Sequence, residues 1–152
     1  MSIFKIVTLI VFALSSSLLA GNAESQALVE SAKKDVKSIT PQALKKKIDN
    51  EDDVYMLDIR EPYMILEGSI DGMENIEIAR GLLEFNLPSK IKDKNAFIVV
   101  YCRSGKGAVL AAKMMKEQLK YKNVTYLEGG INEWLDAGYS IYNSFGEMSL
   151  TK

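Results

Sequence analysis

The chain of 152 residues contains no histidine and a single cysteine, Cys102. Without histidine, Ser–His and Cys–His catalytic pairs and His-ligated metal sites are excluded. One thiol can form neither an intramolecular disulfide nor the cysteine cluster of a zinc site. The net charge of -1 provides no basic excess for nucleic-acid binding. We therefore expect no metal, no cofactor and no nucleic-acid partner, and a chemistry that centres on one thiol.

The N-terminal segment differs from the rest of the chain. Lys5 precedes a short apolar run, a serine triplet and small residues up to Ala23. A basic start, a short apolar core and a small-residue end are the three parts of a secretory signal peptide. We expect residues 1–23 to form a signal peptide that is cleaved after Ala23 or, alternatively, after Ala20. The mature protein is then expected to reach a bacterial periplasm and to have no stable membrane association. The alternative is an uncleaved N-terminal membrane anchor, because residues 3–20 are about long enough to cross a bilayer.

The whole chain has the composition of a soluble globular protein, with 47% apolar and 26% charged residues. Residues 24–37 are polar and weakly patterned, which predicts a leader or a loose helix. The compact domain is predicted over 38–142. It starts near Thr40 and Pro41, a helix N-cap followed by proline at the first helical position. Residues 143–152 are predicted to form a C-terminal tail.

Apolar strand-like runs alternate with amphipathic segments through the domain. Residues 54–59 and 96–101 are nearly continuous apolar runs, as expected for buried parallel strands. Residues 108–121 place alanine, methionine and leucine on one stripe and predict a helix. A further strand is predicted over 124–127 and a last helix over 131–137. The pattern predicts an α/β domain with a central, mostly parallel sheet flanked by helices.

Cys102 stands where a predicted strand turns into a helix, in the loop 102–107 (CRSGKG). Two glycines allow successive backbone N–H groups to converge on an anion, and the helix start adds free N–H groups and a positive dipole end. A thiol in such surroundings is a candidate nucleophile. We expect Cys102 to be catalytic, and the residues that bind the substrate to be Arg103, Ser104, Gly105, Lys106 and Gly107. The alternative is a buried core cysteine that ends a strand.

Three segments of the sequence resemble the landmark segments of a single-domain rhodanese. They are residues 57–62 (LDIREP), 102–105 (CRSG) and 127–134 (LEGGINEW). The resemblance implies a three-layer rhodanese-like fold and a sulfurtransferase activity. In that activity Cys102 takes a sulfane sulfur from thiosulfate or a persulfide donor and passes it to cyanide or a thiol.

The resemblance also implies supporting roles for Asp58 and Arg60, the latter in a structural ion pair. A protein sulfur acceptor is an alternative partner. The family commonly has a second arginine where this chain has Gly107, and a serine where it has Ala108. Two alternatives remain open at this stage. One is a sulfur-relay or protein-binding module with little activity alone, and the other is a phosphatase or arsenate reductase, which in this fold uses a longer loop.

Overall fold

The structure is a computed structural model that describes residues 23–72 and 74–149. Apart from residue 23, the predicted signal peptide lies outside the described residues. Within the described ranges, no helix has the length and apolar character needed to cross a membrane.

A five-stranded sheet forms the centre of the domain. Its strands are β1 (Lys37–Ile39), β2 (Tyr55–Asp58), β3 (Glu74–Glu77), β4 (Phe97–Tyr101) and β5 (Asn123–Leu127). They lie side by side in the order β1-β5-β4-β2-β3, and all four pairings are parallel. The predicted parallel α/β sheet is therefore confirmed.

Helices cover both faces of this sheet. They are α1 (23–35), α2 (Pro41–Asp49), α3 (Pro62–Ile65), α4 (Leu83–Lys90), α5 (Lys106–Glu117) and α6 (Gly130–Asp136). Strand β4 alternates between two cores: Ile98 and Val100 pack with residues of α1, α4 and α5, whereas Val99 and Tyr101 pack with residues of α2 and α6. Burial on both faces explains the continuous apolar run of this strand.

Helix α2 begins as the sequence predicts. The Oγ1 atom of Thr40 accepts a hydrogen bond of 3.2 Å from the backbone N–H of Ala43, and Pro41 occupies the first helical position. This N-cap satisfies one of the N–H groups that a helix start leaves without a partner.

The segment over 24–37, predicted as a leader or a loose helix, is largely helical and is part of the folded domain. It forms helix α1 and the first residue of β1, the edge strand beside β5. The buried side chains of Val29, Ala32 and Val36 join the same core as α5. Their spacing of three and four residues places them on one helical face. This face is therefore buried against the core, although most other positions of the segment are polar.

The predicted C-terminal tail also has structure. Residues Ile141–Asn143 (β6) and Gly146–Met148 (β7) form an antiparallel hairpin. The backbones of Ser69 and Tyr142 exchange two hydrogen bonds of 2.9 Å, which attach the hairpin to the loop after α3. The domain therefore extends beyond residue 142, because this pairing joins positions far apart in the sequence.

Candidate active site

The predicted site residues lie at the carboxyl ends of neighbouring parallel strands. Asp58 ends β2 and stands in register with Tyr101, which ends β4, and Cys102 follows directly. Ligand sites of open α/β sheets occupy this edge. Cys102 is half-buried: its side chain packs against the core on one side and is partly accessible on the other.

The first turn of α6 holds the backbone carbonyl groups of the cysteine loop. The N–H of Ile131 donates to the carbonyl of Cys102 over 2.9 Å, and the N–H of Asn132 donates to the carbonyl of Arg103 over 3.1 Å. These two bonds fix the orientation of the peptide planes that follow the thiol.

Helix α5 starts at Lys106, earlier than the predicted start at residue 108. Gly105 has a φ of +79° and forms the N-cap, so the chain turns sharply before it enters the helix. Lys106 and Gly107 therefore lie in the first helical turn instead of the loop. The shift does not separate them from the thiol, because the first turn directly follows the loop.

A continuous series of backbone N–H groups follows Cys102. In the described part of the chain, the N–H groups of Arg103, Ser104 and Gly105 donate to no protein acceptor. Those of residues 106–108 belong to the first helical turn, which has no intrahelical acceptor for them. The loop therefore presents donors next to the thiol while its first carbonyl groups are occupied by α6. Successive N–H groups without protein acceptors can bind an anion.

Two exposed cations flank the thiol. Arg103 and Lys106 form no ion pair within the ranges that the structure describes. Their charge is not neutralised by a carboxylate, so it favours an anionic group near Cys102.

Asp58 and Arg60 form a buried ion pair beside the loop. The Arg60 Nη2 atom lies 2.6 Å from Oδ2 of Asp58 and also donates to the carbonyl of Gly68 over 2.7 Å. The two side chains are 1% and 3% exposed. Burial alone lowers the pKa of Arg60, but hydrogen bonds and the charge of Asp58 outweigh burial and raise it. Arg60 therefore keeps its charge, and its hydrogen bonds to Asp58 and Gly68 tie the end of β2 to the segment after α3.

Tyr101 completes this buried network. Its ring lies 5.8 Å from the Arg60 guanidinium carbon, and its hydroxyl oxygen accepts a bond of 3.3 Å from the Ile70 N–H. Burial, and then the negative charge of Asp58, raise the pKa of Tyr101 well above its usual range. The phenol therefore keeps its proton and has a structural role, since a group of this kind is a poor general base near neutral pH.

Sequence reasoning missed two contributors to the site. Lys33 of α1 lines a cavity together with Ser104, Gly105 and Lys106, but α1 was predicted as a leader or a loose helix outside the compact domain. Gly130 was not predicted as a site residue, whereas its φ of +63° brings its Cα against the carbonyl of Cys102. The Gly-Gly pair was the available signal, because two adjacent glycines often mark a close backbone approach.

Comparisons with known proteins agree with this geometry. The model of the rhodanese-like domain matches residues 40–137. A sulfurtransferase of Allochromatium vinosum is 30% identical over 106 residues, which cover 70% of this chain and 94% of that protein. The polysulfide-sulfur transferase homodimer of Wolinella succinogenes superposes with a TM-score of 0.67 at 27% identity, over 86% of this chain and 90% of that one.

A Rhodopseudomonas palustris protein of unknown function, described as a candidate tyrosine phosphatase, superposes with a TM-score of 0.68 at 29% identity. That match covers 77% of this chain and 92% of the other. The family model spans more than half of the sequence and includes the cysteine loop, both parts of the ion pair and the start of α6. The chain therefore belongs to the rhodanese-like domain family.

Proposed function

We propose that the protein transfers a sulfane sulfur from thiosulfate or a persulfide donor to a thiol or cyanide. The Cys102 thiolate attacks the outer sulfur of the donor and forms a new S–S bond. With thiosulfate, the original S–S bond breaks and sulfite leaves with the electron pair. The acceptor then attacks the outer sulfur of the Cys102 persulfide, and the Sγ atom leaves as a thiolate.

The run of N–H groups without protein acceptors next to Cys102 carries this proposal. It can stabilise a thiolate, a persulfide anion and the negative charge on a donor without a catalytic base. Preorganised donors of this kind are an effective means of lowering a barrier, because they need no rearrangement during the reaction. The exposed Arg103 and Lys106 support the same anion. The Allochromatium vinosum sulfurtransferase, of which the match covers 94%, also supports the proposal.

Intact mass measurement tests the proposal. Incubation of the full chain with thiosulfate is expected to add one sulfur atom, and later addition of cyanide is expected to remove it. The Cys102→Ser variant is the control and should gain nothing, because the chain has no other cysteine. An unchanged mass in a wild-type protein whose thiol is shown to be free would contradict the proposal.

A sulfur-relay module that serves a protein partner is the second candidate. Gly107 supports it, since the helix start carries no side chain at that position to hold a small anion. A relay module would leave the mass unchanged with thiosulfate but would accept sulfur from a persulfidated protein. Hydrolysis of an aryl phosphate that is lost in Cys102→Ser would instead indicate a phosphatase.

We also propose that the protein acts in the periplasm after removal of the N-terminal segment. The basic start and short apolar run of that segment support export. N-terminal sequencing of the protein from a periplasmic fraction is expected to begin after Ala20 or Ala23. A protein that begins at Met1 and sediments with the membranes would indicate the anchored alternative.

A further inference from the structure

A cavity of about 470 Å³ lies between α1 and α5. Its apolar wall consists of Leu28 and Val29 from α1 and Leu110 from α5. Leu28 is 63% exposed, whereas its neighbour Val29 is 8% exposed and belongs to the core. The volume falls in the range of small-molecule sites and is too small for a folded partner.

Gly107 lies between this cavity and the thiol. The residue lines the cavity, and a Cβ atom built on it would lie 3.6 Å from the Cys102 Sγ. Its φ is not in the left-handed region, so the backbone there does not require glycine. Gly107 therefore places no side-chain atoms between the sulfur and the cavity, where a larger residue would place them.

Two lysines stand at the edge of the cavity. Lys106 is exposed and forms no ion pair among the described residues, whereas Lys33 pairs with Glu30 over 2.7 Å. Both lysines also line the neighbouring cavity beside Ser104 and Gly105. Glu128 lines that neighbouring cavity but not the cavity between α1 and α5, where Glu30 is the acidic residue beside Lys33 and Lys106. The net charge of this lining is therefore positive and complements a carboxylate.

We propose that the cavity between α1 and α5 binds the sulfur acceptor, a thiol with an unbranched apolar chain that ends in a carboxylate. The thiol end would reach Cys102 past Gly107, the chain would lie against Leu28 and Leu110, and the carboxylate would meet Lys106. This inference rests on the proposed function. The acceptor thiolate forms an S–S bond with the outer persulfide sulfur, the bond from that sulfur to Sγ breaks, and the electron pair leaves on Cys102 without net oxidation.

Binding is tested without any sulfur transfer. On the full chain, 6-mercaptohexanoate is expected to shift the backbone amide resonances of residues 25–33 and 106–110. Leu28→Glu should weaken this binding about tenfold, because it removes apolar contact and adds a like charge near the carboxylate. Leu28→Met should bind 6-mercaptohexanoate about as well as the wild-type protein, because it keeps an apolar side chain at this position. Leu82→Glu is the matched control, since Leu82 is 53% exposed and does not line the cavity.

Transfer is tested on the persulfide form in a single turnover. Leu28→Glu is expected to slow transfer to 6-mercaptohexanoate about tenfold and to leave transfer to cyanide unchanged, because cyanide needs no apolar contact. The inference would be overturned if Leu28→Glu slowed transfer to both acceptors equally. It would also be overturned if 6-mercaptohexanoate did not shift the amide resonances of residues 25–33. Shifts that depend on protein concentration without ligand would assign the cavity to a second copy and also overturn it. Binding as expected with no sulfur ever found on Cys102 would refute the proposed function and leave the ligand site standing.

Discussion

Gly130→Ala is expected to lower the free energy of unfolding by about 2–4 kcal/mol and to slow sulfur uptake at Cys102 more than about tenfold. A Cβ atom at this position would lie 2.3 Å from the carbonyl oxygen of Cys102 and 2.8 Å from the carbonyl of Arg103. These are the carbonyl groups that α6 holds, so the clash must move the loop or break its two hydrogen bonds. Urea unfolding and a single-turnover rate with thiosulfate measure the two effects.

Gly138→Ala is the matched control for this change. Gly138 also has a positive φ, +85°, but a Cβ atom there would meet nothing within 4 Å. It should therefore cost only the backbone strain, about 1 kcal/mol, and leave the rate per folded molecule unchanged. Equal rates for the two variants after correction for the folded fraction would show that contact with α6 does not position the loop.

Replacement of Arg60 by methionine is expected to destabilise the domain by about 3–5 kcal/mol, because it leaves Asp58 buried without its partner. Asp58 is 1% exposed and receives hydrogen bonds from Arg60. The carbonyl of Gly68 also loses its hydrogen bond from the guanidinium. The addition of Asp58→Asn in a double variant should recover part of the loss, since the unpaired charge is then gone.

Arg80→Met is the surface counterpart of this experiment. Arg80 pairs with Glu84 over 2.8 Å, but both side chains are more than a third exposed. Its loss is expected to cost at most about 0.5 kcal/mol.

Uptake of sulfur per folded molecule should change little in Arg60→Met, because Arg60 acts through the fold. A rate that falls while stability stays at the wild-type level would instead assign Arg60 to the chemistry.

The proposed sulfur transfer needs no histidine, because it depends on stabilising negative charge and not on moving a proton. Backbone N–H groups and fixed cations act on the anion directly. This agrees with the absence of histidine from the whole sequence. Tyr101, the ionisable residue that precedes Cys102, is held as a phenol by burial and by Asp58 and does not supply a base.

Features that depend on neighbouring residues could be predicted from the sequence. The apolar run of β4 predicts a strand buried on both faces, and Thr40 followed by Pro41 predicts the start of α2. Cys102 with the glycine-containing basic loop predicts an anion site, and the order of three segments predicts the family. Each of these rests on local backbone preference or on the pattern of apolar side chains, which the sequence shows directly.

Features that join distant parts of the chain required the fold. Helix α5 begins early because Gly105, its N-cap, packs against the end of β5 and the turn that follows. A Cβ atom on Gly105 would lie 3.1 Å from the carbonyl oxygen of Leu127. The polar segment of α1 becomes helical and buried because a few apolar residues meet the core around α5. The sequence alone thus predicts a nucleophilic thiol in an anion-binding loop. The cavity beside that thiol exists only because packing brings α1, some 80 residues away in sequence, against the start of α5.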